Sequence, residues 1–63
     1  MADKTGQTGK WYVVNSNSDE VFGTRGASKQ EAQDNLCIQL NMLHGLNCDW
    51  SYWSKRGYKV RRD

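Results

Sequence analysis

Ser28-Lys29-Gln30-Glu31-Ala32-Gln33-Asp34-Asn35-Leu36-Cys37-Ile38-Gln39-Leu40-Asn41-Met42-Leu43-His44-Gly45 decides the fold class. Ser28 and Glu31 match the capping box, in which a hydroxyl takes the N–H three residues on and a carboxylate reaches back to the N–H of Ser28. Good helix formers follow, and Gly45 suits the left-handed position just past a helix end, with Leu46 placed to close back on Leu40. The stretch predicts a helix over 29–44. At 100° per residue, Ala32, Leu36, Leu40 and Leu43 share a sector about 80° wide, the expected core face. Ile38 and Met42 fall on a separate flank, with Asn35 and Gln39 between the two sets. That flank has two readings: a helix buried over a wide arc, or an exposed apolar spot for a partner or a second copy of the chain.

Upstream of the helix, Trp11-Tyr12-Val13-Val14 is a β-branched and aromatic run of strand length. Asn15-Ser16-Asn17-Ser18-Asp19 is a cluster of turn formers, and Val21-Phe22 reads as a second short strand ended by Gly23 and Gly26. Downstream, Asp49-Trp50-Ser51-Tyr52-Trp53-Ser54 alternates with strand character, and Lys55-Arg56-Gly57 is a turn. In Tyr58-Lys59-Val60-Arg61 the period of two turns Tyr58 and Val60 to one side and Lys59 and Arg61 to the other. The expectation is an α+β domain over residues 10–63: an antiparallel sheet of three to four strands, ββαβ or ββαββ, with one helix on one face. Residues 1–9, polar and without period, read as a flexible arm.

Sixty-three residues allow only a small core. No apolar run approaches the ~18–20 residues of a membrane span, and no signal peptide is evident, so a cytoplasmic protein is expected. Seven aromatic residues and no proline argue against disorder. The formal charge of +2 is unevenly spread, with residues 55–63 carrying five basic groups and one acid. Lys55, Arg56, Lys59, Arg61 and Arg62 stand among Trp53 and Tyr58, a mixture suited to recognition because tryptophan, tyrosine and arginine are enriched at binding hot spots.

Other chemistry is thinly represented. Cys37, His44 and Cys48 supply at most three metal ligands and lack a close thiolate pair, with Asp49 or Asp34 as the fourth, so free thiols are favoured over a Cys37–Cys48 disulfide or a metal site. One histidine and little room for a pocket speak against catalysis. Gly23-Thr24-Arg25-Gly26 lacks the lysine and spacing of a nucleotide loop and reads as turn glycines. No cofactor is expected.

The layout of Lys10–Val14, Val21–Thr24, Ser28–Leu43 and Gly57–Arg62 resembles small bacteriophage-encoded proteins that bind and block host machinery, such as inhibitors of RNA polymerase and some anti-CRISPR proteins. The resemblance implies a stoichiometric inhibitor with no active site, working on a host protein complex in a bacterial cytoplasm. On the residues themselves, the contact surface is expected at Trp53, Lys55, Arg56, Tyr58, Lys59, Arg61 and Arg62, with nucleic acid as the alternative partner and a homodimer through Ile38 and Met42 as a third reading.

Overall fold

The computed structural model describes residues 9–63, so the expected arm lies outside the described residues except for Gly9. The order is β1 (Trp11–Val14), α1 (Lys29–His44), α2 (Trp50–Ser54) and β2 (Lys59–Arg62). The class is α+β as expected. The sheet has two antiparallel strands among the described residues, where the sequence suggested three to four.

The helix forms for the reasons its ends display. Ser28 is extended, and its Oγ accepts the Glu31 N–H at 3.1 Å. The return bond differs from the expected one: Glu31 Oε1 accepts from the Ala27 N–H, one residue earlier than Ser28. At the far end Gly45 takes φ 67° and donates its N–H to the Asn41 carbonyl, which also receives the Leu46 N–H. A side chain at Gly45 would suffer the left-handed strain that glycine avoids.

β1 lies between β2 and the 20–26 segment. On the β2 side the register is Trp11↔Arg62, Tyr12↔Arg61, Val13↔Val60 and Val14↔Lys59. On the other side no second strand forms. Single bridges join Val14 to Glu20 and Trp11 to Gly26, and between them the Thr24 hydroxyl stands in for a strand. Thr24 Oγ1 accepts the Val13 N–H at 3.0 Å and donates to the Val21 carbonyl at 2.8 Å, while Thr24 is wholly buried. The cause of the bulge is local. Gly23 has φ 88°, and the Phe22 carbonyl accepts from Gln39 Nε2 on α1 at 3.1 Å, which draws this backbone toward the helix and away from the ladder.

The expected strand at 49–54 is a helix. Asp49 is extended and its Oδ1 caps the Tyr52 N–H at 3.1 Å, the same device that starts α1. A helical turn sets Trp50 and Trp53, three apart, on one face. Both pack on the core, Trp53 buried and Trp50 partly so. As a strand the pair would point to opposite faces, and one indole would be in water.

The core is Val13, Ala32, Leu36, Leu40 and Trp53, with Trp11, Val21, Tyr58 and Val60 among the partly buried residues closing over it. Leu43, assigned to the core face by its angle, is instead 73% exposed. The polar residues of α1 have a use the sequence pattern does not show. Asn35 Nδ2 donates to the Arg25 carbonyl, and Asn41 grips Cys48 twice, donating to its carbonyl and accepting its N–H. They fasten the loops on either side of the helix. No helix among the described residues is long and apolar enough to cross a membrane.

Candidate binding surface

The basic C-terminal residues stand outward from two places, the end of α2 and β2. β2 turns Lys59 and Arg61 outward, and Tyr58 and Val60 are half-buried, as the period of two requires. Arg62 leans over the Trp11 ring, 5.6 Å from its centroid. Lys55 and Arg56 belong to the end of α2, where the Arg56 guanidinium lies 4.7 Å over the Tyr52 ring and donates Nη2 to the Tyr52 hydroxyl at 2.7 Å. Tryptophan at position 53, expected as a contact residue, is 4% exposed and is a core residue. It supports the surface from below, because the indole is large enough to fill the space between α1 and α2.

A second arginine organises the opposite corner. Arg25 lies 4.2 Å over the Tyr12 ring, makes two bonds to the Glu20 carboxylate and one to Asp63 at 2.6 Å. Its hydrogen bonds hold Glu20 below the ordinary carboxylate value, although modest desolvation and the nearby Asp63 charge oppose this, and the two carboxylates raise Arg25 further. Asp63 is therefore turned to Arg25, while Lys59, Arg61 and Arg62 make no ion pair with any described residue.

Between the end of α1 and α2 opens a groove of about 420 Å³, lined by His44, Leu46, Tyr52, Trp53, Arg56 and Tyr58. Trp53 forms its aromatic floor: Tyr52 meets it edge-on at 4.9 Å, Tyr58 at 6.4 Å, and His44 lies tilted at 5.9 Å. Of the residues expected at the contact surface, the structure brings Trp53, Arg56 and Tyr58 together here. Lys55 shares a shallower depression with Tyr52 and Arg56, and Lys59, Arg61 and Arg62 line neither.

A second surface, which shares Leu46 with the groove, gathers around the second half of α1. Met42 is 80% exposed, Phe22 78%, Leu43 73%, Ile38 59% and Leu46 44%. Ile38 and Met42 succeed one another along the helix, and the Phe22 backbone is tied to Gln39, between that flank and the core face. The sequence picked out Ile38 and Met42, and the wide-arc burial considered for them does not occur. It missed Phe22, Leu43 and Leu46, whose signal would have been the length of the helix against the shortness of the strands beside it.

Cys37 and Cys48 are free and half-buried. Burial pushes the Cys37 thiol up, and the nearby Asp34, Asp49 and Cys48 act in the same direction, which keeps it in the unreactive protonated form. Among the described residues no group of three or more His, Cys, Asp and Glu side chains is placed to hold a metal ion. Comparison with protein families, with curated proteins and with solved structures finds no match for this chain.

Proposed function

We propose that the chain is a non-enzymatic protein-binding module that works by covering a surface of its partner. The observation that carries this is the exposure of five large apolar side chains, Phe22, Ile38, Met42, Leu43 and Leu46, around one end of α1. Single exposed apolar residues are ordinary, but a group of this kind marks an interaction surface. Each such side chain gains about 1.5–3 kcal/mol on full burial, which a partner supplies and this small fold does not. The preordered arginines add direction: Arg56 and Arg62 already sit on aromatic rings, so little side-chain freedom is lost when they meet a partner. The resemblance to phage-encoded inhibitors makes a bacterial host complex the partner to try first.

A photocrosslinking residue at Met42 tests the reading, with the same residue at Asn17, exposed in the turn after β1, as control. The expected result is a protein adduct at position 42, unaffected by nuclease and missing at 17. Equal labelling from both positions overturns it. Light scattering at ~100 µM decides whether the partner is a second copy, since a homodimer through Ile38 and Met42 must show twice the monomer mass at sufficient concentration.

Nucleic acid is the second reading, favoured by one arrangement: Arg62 over Trp11 beside the outward Lys59 and Arg61 offers phosphate contacts next to a ring on which a base can stack. Oligonucleotide titrations at about 50 and about 200 mM salt separate the two, because phosphate binding falls steeply with salt and apolar docking does not.

A further inference from the structure

We infer that the groove between α1 and α2 is a docking site for an acidic peptide segment carrying one bulky apolar side chain, a specification of partner chemistry that rests on the protein-binding reading. The groove has an apolar half and a cationic half. Trp53, Tyr52, Tyr58 and Leu46 supply an aromatic and aliphatic bed of about 420 Å³, room for one large side chain. Arg56 stands on its rim, fixed by the Tyr52 ring and hydroxyl through one terminal nitrogen. Its remaining N–H groups make no hydrogen bond to a described residue and form the planar fork that matches a carboxylate. Lys55 lies in the adjoining depression, with Tyr52 and Arg56. No carboxylate lines either hollow, so the charge is uncompensated within the site.

Trp53 Nε1 is the single buried side-chain polar atom among the described residues without a hydrogen-bond partner. With almost no exposed surface it is not itself a contact, but it reports on the floor it belongs to. The charge arrangement also selects against other occupants. A basic peptide meets Arg56 and Lys55 head on.

The test is a titration of isotope-labelled protein, followed by two-dimensional NMR, with an acetylated and amidated pentapeptide of one leucine flanked by two glutamates on each side. The expected result is saturable shifts at the Trp53 indole N–H, His44, Leu46 and Tyr58, with the Trp11 and Trp50 indoles serving as internal controls. The lysine-flanked counterpart should leave these signals in place, and the glutamate peptide with glycine at its centre should bind weakly. Arg56→Gln removes the fork from an exposed position and should weaken binding about tenfold or more, while Leu46→Ser should weaken it without altering the charge. Absence of shifts at millimolar peptide, equal response to the lysine peptide, unchanged affinity in both variants, or shifts confined to Lys59, Arg61 and Arg62 would each overturn the assignment. Crosslinking at Met42 lies outside the groove. Its persistence when the peptide fails leaves the protein-binding reading standing without this site, and its loss when the peptide binds does the reverse.

Discussion

Leu36 and Leu43 lie seven residues apart on α1 and within about 20° of each other around its axis, yet one is wholly buried and the other is 73% exposed. The two halves of the helix differ because of what lies beneath them. Sixteen residues of helix extend about 24 Å, while four residues of strand extend about 13 Å. The first half rests on β1 and on the 20–26 segment fastened by Thr24 and Asn35. The second half outruns the sheet; α2 covers one of its flanks through Trp53, and the other flank is left to solvent. The same apolar periodicity thus yields core in one place and candidate interface in the other.

Substitutions break this comparison in graded steps. Leu36→Ala should have the largest effect, about 2–5 kcal/mol, enough to unfold much of so small a domain in a urea or thermal melt. Leu43→Ala, at nearly the same angle, should stay within about 0.5 kcal/mol, and a comparable loss at both positions would show that the two halves are equally packed. Thr24→Val should cost about 1–3 kcal/mol, because it keeps the shape but leaves the Val13 N–H without its acceptor and the Val21 carbonyl without its donor. A neutral outcome would mean that the Thr24 hydroxyl does not fasten the 20–26 segment to β1.

Asn41→Ala removes both bonds to Cys48 and should cost about 1 kcal/mol, with faster amide exchange at Cys48 as the local signature. Its effect belongs to the second half, since it releases the loop that leads into α2 and the groove. The smallest effect concerns acid stability. The hydrogen bonds from Arg25 lower the Glu20 pKa in the folded state, so the associated stability is present above the ordinary value of 4.5 and is lost as pH falls through the lower folded value. Glu20→Gln should therefore flatten the stability profile below about pH 4.5 while leaving melts at neutral pH little changed, the pair being exposed. A profile identical to that of the unsubstituted protein would remove the Arg25 corner from the acid response.

Much of this arrangement is legible from residue order, and the failures share a cause. α1 was readable from Ser28 to Gly45 because its cap, its stop and its period agree. The outward set of Lys59 and Arg61 followed from alternation alone. The segment 49–54 misled because aromatic residues at alternate positions imitate a strand, and the Asp49 cap that outweighs them is a single side chain. Val21-Phe22 misled because, beyond the single backbone bond from the Val21 N–H to the Val13 carbonyl, its carbonyls accept from a threonine hydroxyl and a glutamine amide, neither of which has a hydrophobic period. At the candidate site, Arg56 and Tyr58 were visible as basic and aromatic residues of the C-terminal stretch. Tyr52, His44 and Leu46 join them only because α2 folds back on the end of α1.

The chain by itself determined a capped helix with an apolar face, an aromatic strand to receive it, and a last strand that is half-buried on one side and basic on the other. These are local properties, fixed by caps, periods and the alternation of side chains. Tertiary structure alone decided how far the core extends along the helix, which tryptophan floors the groove, and where a cation meets an aromatic bed. Those outcomes depend on the relative lengths of α1 and the strands and on hydrogen bonds between segments distant in sequence, Thr24 to Val13 and Gln39 to Phe22 among them. No periodicity along the chain encodes such pairings.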